Sequence, residues 1–81
     1  MHTVYILQSD FDGRYYYGYT DRNIEERLNE HNQGKSPYTS KSKPWRIVWY
    51  GLFSSKEIAK NFEKYLKTGS GHAFSRKRLI E

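Results

Sequence analysis

Five side chains stand out because phenols, guanidinium, imidazole and carboxylate groups can move protons or grip anions: Tyr5, Tyr16, Arg27, His31 and Glu63. Arg27 and His31 are four apart, so on a helix they share one face. Each also has a plain structural reading. A strand tyrosine is ordinarily packed, Arg27 and His31 suit a helix surface, and Glu63 could pair with Lys67 one turn on. The common catalytic signatures are missing: there is no phosphate-cradling glycine loop, no His-Glu-x-x-His, no Gly-x-Ser-x-Gly and no acidic cluster able to hold two metals. Order and spacing therefore carry whatever chemistry these residues have.

The elements that would position them follow from local pattern. Thr3 to Gln8 is β-branched and aromatic with no polar gap until its end, the pattern of a strand covered on both faces. Ser9 to Arg14 contains Asp12-Gly13, a hairpin turn pair, and Tyr15 to Tyr19 follows as a second strand. Gly18 inside that aromatic run predicts a bulge or the close approach of another group. Asn23 or Asp21 predicts a helix cap, Ile24, Leu28 and His31 fall on one face, and Gly34 predicts its stop. Lys35 to Pro44 is a loop. Trp45 to Phe53 predicts a third strand with Trp45, Ile47 and Trp49 on one face and Val48 and Tyr50 on the other. Ser54-x-x-Glu57 predicts a capping box for a helix that buries Ile58, Ala59, Phe62, Tyr65 and Leu66, with Glu63 at the edge of that stripe. Thr68 to Gly71 is expected to end it. His72 to Glu81 is expected to form a short basic helix held by Phe74, Leu79 and Ile80.

Eighty-one residues accommodate one small core, so 1–81 is read as a single domain. Only 16 residues are Leu, Ile, Val or Phe, close to the level at which chains stay disordered, but the Phe, Trp and Tyr total is 14 and restores a core. The absence of Cys excludes disulfides, thiolate metal sites and thiol nucleophiles. No apolar run reaches the length of a membrane span and no signal-peptide pattern is visible, so a cytoplasmic protein with no membrane partner is expected. Charge is unevenly placed. Residues 1–31 hold three Arg against six acids, and residues 32–81 hold eleven Lys and Arg against three Glu. The basic part suits a polyanion, nucleic acid being the commonest.

Taken in order, Val4-Tyr5 on the first strand, Tyr16-Tyr17-Gly18 eleven residues on, Arg27-x-x-x-His31 on the next helix and Glu63 on a later one resemble the GIY-YIG nuclease family over essentially the whole chain. In length it is most similar to the small stand-alone members, which resemble the N-terminal nuclease domain of bacterial excision-repair enzymes. The resemblance implies an α+β fold, a three-stranded antiparallel sheet flanked by helices in the order β-β-α-β-α-α. It also implies a metal-dependent DNA endonuclease, structure-selective or weakly sequence-specific, in repair or recombination. Tyr5 then corresponds to the tyrosine ending the first motif, Tyr16 to that of the second, Arg27 to the helix arginine, His31 to the histidine one turn on and Glu63 to the metal-binding glutamate.

In those roles Glu63 would hold Mg²⁺, with Mn²⁺ as a substitute, and Arg27 would grip the scissile phosphate as a fork. Tyr5 would be the base assisted by His31, with Tyr16 positioning water or phosphate; exchanged tyrosine roles fit the sequence equally. Positive charge from the metal and Arg27, with the His31 hydrogen bond, is expected to lower the tyrosine pKa. Lys35, Lys41, Lys43, Arg46, Lys67, Arg76, Lys77 and Arg78 are expected to form a phosphate track that positions DNA without reading it. Two departures stand out: the first motif reads Thr3-Val4-Tyr5 without a Gly, and no Asn follows Asn61 where many members carry one after the glutamate. The second departure supports an alternative, a nucleic-acid-binding module of the same fold with weak or no catalysis.

Overall fold

The computed structural model describes residues 1–80; the last residue of the expected C-terminal helix, Glu81, lies outside them. Strands β1 (His2–Ser9) and β2 (Tyr15–Thr20) form the expected hairpin, then come helix α1 (Ile24–Asn32), strand β3 (Trp45–Phe53) and helices α2 (Lys56–Leu66) and α3 (Gly69–Arg78). The sheet is antiparallel throughout in the order β2-β1-β3. Because β1 is central, its run Thr3 to Leu7 is buried on both faces, as a segment without polar gaps requires. At the hairpin, Gly13 takes φ +79°, and the Ser9 hydroxyl accepts from the Phe11 and Asp12 amides.

Two apolar layers cover the two faces. On one side Tyr5, Leu7 and Trp45 pack with Tyr16, Ile24, Leu28 and Ile47 beneath α1. On the other, Val4, Ile6 and Tyr17 meet Ala59 and Leu66 of α2 and Ile80, with Phe62, Phe74 and Leu79 packed against them. Asn23 caps α1 by accepting from the amides of Glu25 and Glu26, and Gly34 turns the chain out at φ +79°. The loop that follows is pinned to the rest of the molecule. Asn32 exchanges two hydrogen bonds with the Trp45 backbone (2.6 and 3.0 Å), the Trp45 indole donates to the Thr39 carbonyl (2.8 Å), and the Ser9 hydroxyl donates to the Ser42 carbonyl.

The structure corrects three expectations. Trp45, Ile47 and Trp49 do not share a face. Leu7 pairs with Ile47 and Ile6 with Trp49, so Val48 is an extra residue in a β-bulge. The bulge shifts the alternation by one, which sends Val48 and Trp49 to the α2 side and returns Tyr50, opposite Tyr5, to the α1 side. The α2 cap is Ser55, accepting from the Ile58 amide, rather than Ser54, and Ile58 is exposed, so the buried stripe is narrower than the apolar pattern. Thr68 to Gly71 opens α3 instead of closing α2: Thr68 caps it by accepting from the Gly71 amide at 3.0 Å. Gly71 lies so close to the last turn of α2 that a Cβ there would sit 2.6 Å from the Leu66 Cα.

Candidate active site

Gly18 is opposite Tyr5 in the β1–β2 ladder, and the Tyr5 ring lies across it: a Cβ at Gly18 would meet the Tyr5 hydroxyl oxygen at 2.5 Å. The glycine makes room neither for a bulge nor for a backbone or ligand but for the Tyr5 ring. Lying over the glycine, Tyr5 brings its hydroxyl 3.1 Å from Nε2 of His31. His31 has no exposed surface, and its Nδ1 is 2.8 Å from the Thr39 hydroxyl. Tyr16 closes the group, its ring centroid 5.0 Å from that of His31 and 6.4 Å from that of Tyr5. Strand β1, strand β2, helix α1 and the loop after it thus each give one side chain to a single cluster.

Arg27 enters from the same face of α1 as His31, one turn earlier. Its guanidinium donates to Oε1 of Glu30 at 2.9 Å. Arg22 grips both carboxylate oxygens of Glu30, at 2.9 and 2.8 Å, and this pair with Arg27 holds the Glu30 carboxyl down at about 2. Glu30 therefore stays ionised and orients Arg27, a function the sequence reading missed, although the Arg27-x-x-Glu30 spacing is a visible signal for it.

Burial dominates the Tyr5 pKa. Burial pushes the phenol up to about 12, the adjacent Arg27 charge pulls it back only in part, and Tyr16 and Glu63 add to the rise. Arg27 by itself does not offset the removal of water from the buried phenol; the expected lowering rested on a bound metal as well. Burial, then Arg27, pushes His31 down to about 4, so the imidazole is neutral near pH 7. The resting cluster is a protonated phenol hydrogen-bonded to a neutral imidazole.

Glu63 lies on α2, near enough for its charge to act on Tyr5. Its carboxylate is paired at 2.9 Å with Lys67 one turn on, and its side chain is only 14 % exposed. Among the described residues no group of three or more His, Asp or Glu gathers as a metal nest. A single carboxylate still fits Mg²⁺, which commonly takes one or two carboxylates and completes its shell with water and substrate phosphate. The basic residues stand on different elements. Lys35, Lys41 and Lys43 are exposed on the loop beside α1, whereas Arg76, Lys77 and Arg78 are exposed on α3, across the sheet. Arg46 is tied to Asp10 (2.8 Å) and Gln8 (2.9 Å), and Lys67 is held by Glu63. His72 stacks on Tyr17 with ring centroids 5.1 Å apart. Ser70 offers its carbonyl to the Tyr65 hydroxyl at 3.5 Å.

With that geometry in place, comparison with known proteins is informative. A family model described as the GIY-YIG catalytic domain matches residues 1–77. A UPF0213 protein of Staphylococcus haemolyticus is 38% identical over 81 residues, spanning 99% of this chain and 90% of that protein. A second, from Bacillus licheniformis, is 43% identical over 67 residues, covering 82% of this chain and 67% of that one. The solution NMR structure of a UPF0213 protein from Bacillus halodurans superposes with a TM-score of 0.58 at 33% identity, covering 96% of this chain and 85% of that one.

Proposed function

The chain belongs to the GIY-YIG family of nucleases, and from that membership we propose that it is a Mg²⁺-dependent DNA endonuclease, structure-selective or weakly sequence-specific, serving repair or recombination. The observation that carries this reading is the buried hydrogen bond between the Tyr5 hydroxyl and a neutral His31, set beside Arg27.

A phenol near 12 is a poor base if it must first ionise. It is an effective relay if it passes its own proton on as it receives one. In that step the attacking water's O–H bond breaks toward the Tyr5 oxygen, while the Tyr5 O–H bond breaks toward His31 Nε2. The water is left nucleophilic, Tyr5 is unchanged and His31 becomes an imidazolium. Arg27, aimed by Glu30, takes the phosphate oxygens, and a bound phosphate offsets the Arg27 charge that helps hold the imidazole pKa down. Tyr16 packs against the imidazole and keeps its ring from turning. Glu63 would hold the divalent metal, which when bound supplies charge stabilisation to the phosphate and leaving oxygen.

A second reading, a binding module with residual catalysis, is favoured by the lack of any Asn after Asn61 and by the single carboxylate offered to metal. Cleavage of labelled duplex, flap and bulged DNA with Mg²⁺ or Mn²⁺ separates the two. The nuclease reading expects cutting that EDTA and Glu63→Ala abolish while DNA binding persists. Binding without cutting in any metal overturns it.

A further inference from the structure

The relay just described works only in one of the two neutral forms of His31. Nε2 must carry the lone pair, so Nδ1 must carry the proton. Both ends of the hydrogen-bond chain bear on that choice. At the Tyr5 end, the hydroxyl belongs to a side chain only 1% exposed, and its hydrogen-bond partner is His31 Nε2. Arg27 beside it offers donors and no acceptor, and Tyr16 and Glu63 make no hydrogen bond to it, so His31 Nε2 is the acceptor in place for the Tyr5 proton. At the far end, the Thr39 side chain is fully buried, and its hydroxyl donates to the Ser36 carbonyl at 3.4 Å across a turn of the α1–β3 loop. A Thr39 proton directed to that carbonyl leaves the Thr39 oxygen, 2.8 Å from Nδ1, to accept the imidazole proton.

We propose that Thr39 is a positioning residue that holds His31 in its Nδ1–H tautomer, so that Nε2 faces the Tyr5 hydroxyl as a proton acceptor. Thr39 touches neither substrate nor Tyr5; it acts through His31. The loop that carries it is built to place it. The Thr39 carbonyl takes the Trp45 indole proton at 2.8 Å, and Asn32 clamps the Trp45 backbone, which joins this residue to the end of the helix bearing His31. With the opposite tautomer, Nε2–H would face the phenol oxygen, the Tyr5 proton would have no receiver, and the relay would stop. Second partners of this kind commonly fix the tautomer of a functional histidine, and losing one typically costs about 10–100-fold in function.

The inference rests on the relay reading, but its primary test does not need cleavage. Nitrogen-15 correlation spectra of the imidazoles in the full chain at neutral pH read the tautomer directly. The expected result is a protonated Nδ1 and a bare Nε2 at His31 in the wild type. In Thr39→Val, which keeps the shape and removes the oxygen, the expected result is a mixed or reversed tautomer. Thr39→Ser should keep the wild-type pattern. DNA cleavage should fall roughly 10–100-fold in Thr39→Val and recover in Thr39→Ser. A wild-type His31 protonated on Nε2 overturns the proposal without any variant having to fold. A folded Thr39→Val with an unchanged tautomer overturns it as well, as does unchanged cleavage in that variant when the wild type cuts DNA. If the chain cuts no DNA yet the tautomer follows Thr39 as described, the positional claim stands and the nuclease reading fails.

Discussion

Replacing Gly18 with alanine tests whether the site is built as described. The added Cβ would sit 2.5 Å from the Tyr5 hydroxyl oxygen and 2.8 Å from Cε1 of the same ring, against 3.4–4 Å for an ordinary contact. Moving the oxygen from 2.5 to 3.4 Å requires a shift of about 0.9 Å, comparable to the tolerance of a catalytic geometry. The Tyr5–His31 hydrogen bond is 3.1 Å long, and a shift of about 0.9 Å in the hydroxyl position takes it out of good hydrogen-bond geometry. Neither the rigid, buried ring nor its neighbours can absorb this as a flexible lysine would. Overpacking of this kind costs about 1–3 kcal/mol, which in a domain of this size lowers Tm by roughly 4–20 °C. A displacement near 1 Å also lowers cleavage by about 10²-fold. Thermal melts and single-turnover cleavage read the two effects. Gly69→Ala is the control, because a Cβ there meets nothing within 4 Å, and neither quantity should fall. A Gly18→Ala protein that melts and cuts like the wild type would refute the placement of Tyr5 over Gly18.

Arg27→Lys keeps the charge and loses the fork. Arg22 still holds Glu30 bidentately, so Tm should change little, while cleavage should fall by about tenfold or more; equal loss of both would contradict an orienting role for Glu30. Stability should depend on pH in two windows. His31 has a folded pKa near 4 against an ordinary 6.5, so the unfolded chain binds a proton that the native chain refuses, and stability falls as pH drops from about 6.5 to about 4. Glu30, held near 2 against 4.5, contributes stability that is complete above 4.5 and lost as pH falls toward 2. Melts from pH 7 downward should show both losses, and His31→Asn should flatten the first; an unaltered first window in that variant would remove the assignment. Gly71→Ala should destabilise without touching the cluster, by about 1–3 kcal/mol from the forced parting of α2 and α3, and a melt showing no loss would contradict that packing.

What was legible in the sequence was mostly local. Thr3 to Leu7 carries no charged residue and is β-branched, aromatic or aliphatic throughout because it is buried on both faces, as a central strand is. Asn23, Gly34 and the α1 stripe announced a helix whose inner face carries His31. The features that escaped are products of pairing between distant segments. Nothing in Trp45 to Phe53 says that Val48 is passed over, because the bulge exists only in register with Ile6 and Leu7. Arg46 reads as a free cation until the pairing of β1 with β3 brings Gln8 opposite it and Asp10 beside it. Thr39 is one hydroxyl in a polar loop, distinguished only by the imidazole folded against it. The Tyr5 pKa likewise depends on burial, which the motif does not encode.

In the proposed mechanism a protonated Tyr5, in contact with His31, moves the proton of an attacking water during phosphodiester cleavage. The most direct measurement is single-turnover cleavage of labelled DNA with Mg²⁺ by the wild type and by Tyr5→Phe, with DNA affinity measured on the same preparations. The account predicts Mg²⁺-dependent cutting by the wild type, a loss of about 10²–10⁴-fold in Tyr5→Phe, and nearly equal affinity. Wild-type and variant proteins that cut equally well, or a wild type that binds DNA and never cuts it, would contradict it.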